Sequence, residues 1–382
     1  MEDQLRYTIA LMGIKGVGSI LARHLIDAFG SAQAVLEAND TALLQISRVG
    51  QAIIEQRRDP RLMQRADAEI QFMHAHHIQP LIFGQCPQQD DQATPLSYPH
   101  RLSECQDAPT LLFKLGSANL ESKHIVSIVG TRSCSQYGRD MVNRFVAELK
   151  EALPDLVIVS GLALGIDVSA HKAALEHGVP TVGVVAHGLD RIYPYIHKGI
   201  AREMVQQGGA IVTEYTTGTE PERHFFLARN RIIAGLSDAV IVVESKDKGG
   251  SLVTASIALD YNRDVFAFPG RVGDSRSEGC NRLIRLNRAG LITCAQDFIE
   301  AMSWSTPSAK QKSIQHSIPF EEENLSRNAR LIIDALRDRG DLLLSQLSEA
   351  TGLDHATLYE ELLDLEMDGK IRSTPGGLYQ LR

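Results

Sequence analysis

Short apolar runs alternate with amphipathic stretches between about residues 123 and 302. Each run is apolar almost without interruption, which is expected of a strand whose two faces are both covered by helices. The pattern predicts strands at residues 125–129, 156–160, 181–185, 211–214, 239–244 and 265–268. Because helical stretches alternate with these strands, the predicted fold is an α/β, doubly wound and mostly parallel sheet.

The periodicity before this core is that of short helices. Residues 1 to about 58 contain a glycine turn at residues 13–18, with Ser19 predicted as a helix N-cap and Gly30 as a helix stop. The turn resembles a helix-hairpin-helix or SAM-like unit, in which hairpin amides bind a DNA phosphate. A plain helical turn would show the same glycines, and the sequence does not separate the two interpretations.

The chain after the core divides into a linker and a small domain. Residues 303–319 are polar and without periodicity, as expected of a linker. Helices predicted at residues 328–339, 344–350 and 355–368, followed by a β wing at 370–381, together make a winged helix. The predicted domains are a helical domain with a connecting segment (1–110), the core (111–302), the linker (303–319) and the winged helix (320–382).

The third helix of the winged helix is strongly acidic. Its acidic side chains are Glu360, Glu361, Asp364, Glu366 and Asp368. In a DNA-reading winged helix this element would face phosphates, which these carboxylates would repel. We therefore interpret the domain as a protein-contact module.

The net charge of −8 is unevenly distributed along the chain. Residues 321–382 hold thirteen acidic and seven basic side chains, so they carry −6 and the remaining 320 residues carry only −2. Affinity for a phosphate backbone depends on the local field and not on the total charge. The acidic balance therefore does not exclude a nucleic-acid partner.

Cysteine usage and hydropathy indicate the compartment. The five cysteines include no Cys-x-x-Cys pair, which favours reduced thiols in the cytoplasm. No apolar stretch is long enough to span a bilayer, and the first residues lack the basic and apolar regions of a signal peptide. We expect a cytoplasmic protein with no membrane span.

Glycine turns that follow predicted strands carry candidate anion-binding residues. One turn precedes a helix predicted to begin near Gln136, where free backbone amides and the positive end of the helix dipole would attract an anion. Another opens shortly before Asp167. The candidates in the first turn are Gly130, Thr131 and Arg132, and the second turn runs from Gly161 to Gly165.

A third candidate group lies just before the strand at residues 239–244. Arg229, Asn230 and Arg231 stand beside an apolar run there. The planar fork of arginine matches phosphate oxygens two at a time, although arginines at such positions also bridge neighbouring elements. Because ligands of open parallel sheets bind outside the carboxyl ends of the strands, these groups predict one elongated polyanion groove.

The order of these motifs resembles the DprA/Smf (DNA processing protein A) family. The motifs that carry the resemblance lie at residues 128–138, 160–167, 188–194, 229–237, 250–255 and 265–270. The resemblance covers roughly residues 90 to 300 and implies an extended Rossmann-like core. It also implies a bacterial protein that binds incoming single-stranded DNA during natural transformation, protects that strand, loads the RecA recombinase onto it and forms a homodimer. No cofactor or metal is expected.

The resemblance also assigns the DNA-binding residues. In the family the phosphate pocket falls on Gly130, Thr131, Arg132, Ser160, Gly161, Arg229, Asn230 and Arg231. Lys198 is the candidate for a lysine contact after Tyr193-Pro194. The chain departs from the family pattern at Leu164, where arginine is common, and at Phe226, where proline is frequent.

The main alternative is a nucleotide-binding hydrolase with a related Rossmann-like fold. Such enzymes carry a catalytic glutamate shortly after a threonine in a glycine turn, but residues 255–257 after Thr254 include no acid. Asp167 and Glu244 are expected to cap a helix or pair with arginine, because no partner base accompanies them. We therefore expect a protein that is not an enzyme. A transcription regulator acting through the winged helix is disfavoured by its acidic third helix.

Stacking side chains are few, since only 5% of residues are aromatic. Phe225 and Phe226 are predicted to be core residues, because they precede an apolar helix. Tyr195 is predicted to be exposed beside Lys198. Phosphate contacts should therefore dominate binding, with weak base preference.

Overall fold

The computed structural model describes residues 2–84, 97–304, 326–374 and 378–381. The chain forms two compact units, Met1–Pro307 and Ser308–Arg382. Most of the predicted linker, residues 305–319, lies outside the described residues.

A nine-stranded sheet forms the centre of the first unit. Its strands are β1 (Gln79–Ile82), β2 (Leu111–Gly116), β3 (His124–Val129), β4 (Leu156–Ser160), β5 (Thr181–Val184), β6 (Ala210–Thr213), β7 (Ala239–Val242), β8 (Asp264–Ala267) and β9 (Gly290–Leu291). All the predicted strands are present, with ends shifted by no more than two residues. β1 lies upstream of residue 111, where the predicted core begins.

The sheet is doubly wound, which confirms the predicted fold class. The strand order is β1-β2-β6-β5-β4-β3-β7-β8-β9. The neighbours from β6 through β9 are parallel, and β1 and β2 add an antiparallel edge. From β3 the chain winds outward to β6, then returns to β7 on the other side of β3. The switch point of the topology therefore lies between β3 and β7.

Helices cover both faces of this sheet. The helices of the first unit are α1 (Glu2–Met12), α2 (Ser19–Phe29), α3 (Ala32–Glu37), α4 (Asp40–Leu44), α5 (Gln51–Arg57), α6 (Arg61–His76), α7 (His100–Ser103), α8 (Gln136–Ala152), α9 (Ile166–Glu176), α10 (Lys198–Gln206), α11 (Arg223–Gly235), α12 (Gly250–Asp260), α13 (Glu278–Arg285) and α14 (Ala295–Ala301). Along β3, Ile125 and Val129 join the core on one face while Val126 and Ile128 join the core on the other. This burial on both faces explains the uninterrupted apolar runs.

The N-terminal helices contain two similar hairpins, and only the first was predicted from the sequence. Residues 14–18 and 46–50 both lead into a helix whose N-cap is glycine. In the first hairpin Gly16 has a φ of 97°, and Arg48 has a φ of 71° at the matching place in the second. Gly18 is the N-cap of α2, so the prediction of Ser19 as the N-cap was wrong by one residue. Gly30 ends α2 in the left-handed conformation, as predicted.

The second unit is a winged helix, as predicted. It contains α15 (Arg327–Arg339), α16 (Leu344–Thr351) and α17 (His355–Met367), and the strands β10 (Leu342–Leu343), β11 (Ile371–Thr374) and β12 (Leu378–Leu381). The strands pair antiparallel in the order β10-β12-β11. Ile332, Leu347 and Leu362 are central to its separate apolar core. Its acidic residues lie on the solvent side of α17, with Glu360, Asp364 and Glu366 exposed.

Candidate functional site

A cavity opens at the switch point of the sheet, outside the carboxyl ends of β3 and β7. Open α/β sheets form their ligand crevice at this place. Its volume is about 730 Å³. The lining comes from the turn after β3, the start of α9, the helix α11, the turn at residues 246–250 and the first turns of α12.

The rim of this cavity is positively charged. Arg132, Arg223, Lys246 and Lys248 line it and are exposed. Their side chains make no hydrogen bond or ion pair with any residue that the structure describes. Among the described lining residues the only acid is Asp167, which is buried. The rim therefore offers free cations to an anionic ligand.

An aromatic wall stands beside Arg132. The Arg132 guanidinium lies 5.6 Å from the centroid of the Phe226 ring, within the range of a cation–π contact. The Tyr193 and Phe226 ring centroids are 5.7 Å apart, and Tyr193 is 48% exposed. Phe226 lines the cavity and is only half-buried, so its assignment to the core was wrong. Phe225 is half-buried as well and packs against Tyr215.

The N-terminus of α8 is not a free anion site, and that prediction was wrong. The N-cap Ser135 accepts a hydrogen bond from the Gly138 amide at 3.1 Å. The Glu244 carboxylate accepts hydrogen bonds from the Ser135 amide at 2.8 Å and from its hydroxyl at 2.5 Å. The protein's own carboxylate thus occupies the position, which confirms that Glu244 caps a helix.

The helix that opens toward the cavity is instead α12. Its N-cap, Gly249, provides no side-chain cap. Gly250 and Ser251 line the cavity beside Lys246 and Lys248. The positive end of the α12 dipole and two lysine charges therefore converge on the same space.

The glycines predicted to approach phosphate are required by packing within the protein. A Cβ on Gly130 would lie 2.5 Å from the Ile166 side chain. A Cβ on Gly161 would lie 2.2 Å from Nη1 of Arg229. Two backbone hydrogen bonds of Thr131 fix the position of the turn. Its amide donates to the Glu244 carbonyl at 2.7 Å, and its carbonyl accepts from the Ile166 amide at 3.1 Å.

Arg229 is a buried brace below the cavity. It is 3% exposed, and its Nη1 donates to the Gly161 carbonyl at 2.6 Å and to the Val184 carbonyl. Burial lowers the pKa of the guanidinium to about 10, against the opposing charge of Asp167. Burial raises the pKa of Asp167, although Arg229 and the amides of Ala163 and Gly161 oppose that shift.

Of the predicted site residues, Gly130, Thr131, Arg132, Arg229 and Asn230 line the cavity. The others lie elsewhere. Arg231 pairs with Glu214 at 2.6 Å, because residues two apart on a helix point to different faces. The Ser160 hydroxyl is buried and donates to the Ile128 carbonyl at 2.6 Å.

Two further predicted residues lie outside the cavity lining. Gly161 lies beneath Arg229, and Lys198 is exposed at the start of α10 with its Nζ 5.6 Å from the Tyr195 ring centroid. Tyr195 is 76% exposed, as predicted. The DNA-binding role of each of these residues stays a prediction.

Three lining cations, Arg223, Lys246 and Lys248, were missed by the sequence analysis. Helical spacing would have found Arg223, which precedes Phe226 by three residues and Asn230 by seven on α11. The lysines follow β7 at its carboxyl end, where ligand-binding loops of parallel sheets lie.

The described residues contain neither a side-chain cluster suited to a metal ion nor a helix long and apolar enough to cross a membrane. The four cysteines among them, Cys105, Cys134, Cys280 and Cys294, are free thiols.

Comparison with known proteins gives consistent matches over both units. The family model described as DNA recombination-mediator protein A matches residues 93–303, and the DprA winged helix domain matches residues 319–377. DNA processing protein DprA of Streptococcus pneumoniae is 44% identical over 202 residues, which are 53% of this chain and 70% of that protein. Protein Smf of Synechocystis is 31% identical over the full length of both chains.

A solved structure agrees with these matches. The X-ray structure of DNA processing protein A from Streptococcus pneumoniae superposes with a TM-score of 0.53 at 34% identity. The match covers 78% of this chain and 97% of that chain. The chain therefore belongs to the DNA recombination-mediator protein A family, DprA/Smf, as its motifs predicted.

Proposed function

We propose that this protein binds single-stranded DNA in the cavity at the switch point and acts in DNA processing during natural transformation. One observation carries the proposal, namely the rim of exposed cations without partners among the described residues: Arg132, Arg223, Lys246 and Lys248. Cations grouped in a concave surface attract a polyanion. The names of the relatives, DNA processing protein and recombination mediator, support DNA as that polyanion.

The aromatic wall favours a single strand over a duplex. Bases of a duplex are stacked inside the helix, whereas an unpaired base can stack on a side chain such as Tyr193 or Phe226. A cavity of about 730 Å³ is of the size that holds a drug-sized ligand. Separate nucleotides of a single strand fit such a space, and a double helix does not.

We extend the proposal to further roles, which membership of the family supports. The protein shields the bound strand from nucleases and helps to load the RecA recombinase onto it, acting as a homodimer in the cytoplasm. The exposed acidic face of α17 supports a protein-contact role for the winged helix, because its carboxylates would repel DNA.

Fluorescence anisotropy with labelled oligonucleotides tests DNA binding. The protein is titrated into a single strand and into a duplex of the same sequence, at two salt concentrations. We expect tighter binding of the single strand and a steep loss of affinity with added salt. Equal or tighter binding of the duplex would contradict the proposal.

RecA loading is tested separately. RecA filament formation is followed on a strand precoated with a single-strand-binding protein, with and without this protein. Acceleration is expected, and its absence would contradict the loading role while leaving DNA binding intact. A nucleotide-release assay on the purified protein tests the hydrolase alternative, and we expect no product.

A further inference from the structure

A second cavity of about 570 Å³ adjoins the first. It lies between the first turns of α12 and the region of α13 and the turn that follows it. Lys248, Gly249 and Val253 line both cavities. Because the same residues line both cavities, the two cavities lie side by side and form a continuous surface across the start of α12.

The second cavity is also positively charged. Three basic residues, Lys248, Arg282 and Arg288, line it, and Asp247 is the acidic residue among its described lining residues. Arg282 pairs with Asp247 at 2.7 Å, so these two charges balance each other. Arg288 is exposed and donates to the Ser256 hydroxyl at 3.0 Å, which leaves its positive charge uncompensated by a carboxylate.

The remaining lining is apolar and partly open to solvent. Leu252, Val253, Leu283 and Leu286 contribute it, and Val253 and Leu286 are 39% and 52% exposed. Open apolar surface beside cations is suited to a ligand that alternates flat apolar rings with negative charges. A strand of DNA has this alternation of bases and phosphates.

We infer that the second cavity is a further subsite for the same single strand that the first cavity binds. The strand crosses the start of α12, with Lys248 between the two subsites and Arg288 contacting a phosphate in the second. Val253 and Leu286 form the apolar surface against which a base packs. This inference rests on the proposed function, because the first cavity must hold the strand before the second can extend it.

Oligonucleotides of increasing length separate the two subsites. A labelled oligothymidine series is titrated into the full-length protein, the Arg288→Ala variant and the Arg132→Ala variant. We expect Arg288→Ala to bind the shortest oligonucleotides like the parent and to lose about tenfold in affinity for long ones, the effect of one charge-assisted contact. Arg132→Ala should weaken binding at every length.

Two further variants sharpen the result. Arg288→Lys keeps the positive charge and should restore most of the affinity for long oligonucleotides. If the Arg288→Ala defect came only from the lost hydrogen bond to the Ser256 hydroxyl, restoring the charge would not restore the affinity. Arg202→Ala removes an exposed arginine of α10 that lines neither cavity, and should bind all lengths like the parent.

The outcomes are distinct. If Arg288→Ala binds every length like the parent, or weakens all lengths equally, the second subsite is refuted and the first stands. If the parent protein binds no single strand at any length, the proposed function itself fails.

Discussion

The substitution Arg132→Ala tests the role of the cationic rim. The Arg132 side chain is exposed and pairs with no described residue, so its removal leaves no buried group unsatisfied. Its cation–π contact with Phe226 is worth about 0.5–1 kcal/mol at an exposed site. The free energy of unfolding should therefore change by less than about 1 kcal/mol.

The effect of Arg132→Ala on binding should be larger. A hydrogen bond to a charged group contributes about 1.5–3 kcal/mol, which corresponds to roughly a 10- to 150-fold loss of affinity for single-stranded DNA. Loss of one phosphate contact should also reduce the slope of log affinity against log salt by about 0.7. Among single substitutions on the rim we expect this to be the most severe, because Arg132 combines the bidentate fork, which Lys246 and Lys248 lack, with a position beside the Phe226 ring.

The assay is fluorescence anisotropy of a labelled oligothymidine over a series of salt concentrations. Arg132→Lys should fall between the parent and Arg132→Ala, because it keeps the charge and loses the fork. Arg202→Ala is the control for an exposed arginine outside both cavities. Binding of Arg132→Ala equal to that of the parent at every salt concentration would refute the assignment of the groove.

Other predictions concern stability, domain organisation and base preference. Arg229→Ala should lower the free energy of unfolding by about 3–5 kcal/mol in thermal or denaturant unfolding, because it removes the main countercharge of the buried Asp167; a stability like the parent's would contradict the buried brace. Burial lowers the pKa of His171 to about 3, and its Nδ1 is 2.7 Å from the Thr181 hydroxyl. The unfolded chain therefore binds the proton more readily, and unfolding free energy should fall as pH drops from about 6.5 toward 3, by up to about 1.4 kcal/mol per pH unit. His171→Gln should flatten this dependence, and identical pH profiles of the two proteins would count against it. Deletion of residues 321–382 should leave a core that is folded by circular dichroism and binds single strands, so loss of most affinity with the fold intact would be the opposing result. Homopolymers of equal length should bind with similar affinity and strong salt dependence, and discrimination that persists at high salt would show that base contacts carry binding.

The strand pattern was predictable because both faces of the central sheet are buried, as Ile125 and Val126 illustrate on β3. The strands β1, β2 and β9, which lie toward the two edges of the sheet, were not predicted. β9 is only two residues long, and β1 contains Pro80. Such strands depend on the neighbour they pair with, which a local pattern does not contain.

The position of the cavity was predictable from the topology, whereas its electrostatics were not. The carboxylate that caps α8 comes from Glu244, which is 109 residues away from Ser135 in the chain. No local pattern reveals that this helix start is already occupied. Arg231 is different, since its separation from Arg229 by two helical positions already indicated another face.

The measurement that tests the central claim most directly is photo-crosslinking of a single strand carrying a photoreactive base, followed by identification of the crosslinked peptides. The account predicts crosslinks at Tyr193 and Phe226, the aromatic side chains that line the cavity. Arg132→Ala should reduce their yield. Crosslinks confined to the winged helix or to the hairpin at residues 14–18 would contradict the account, because the strand would then be bound away from the switch point of the sheet.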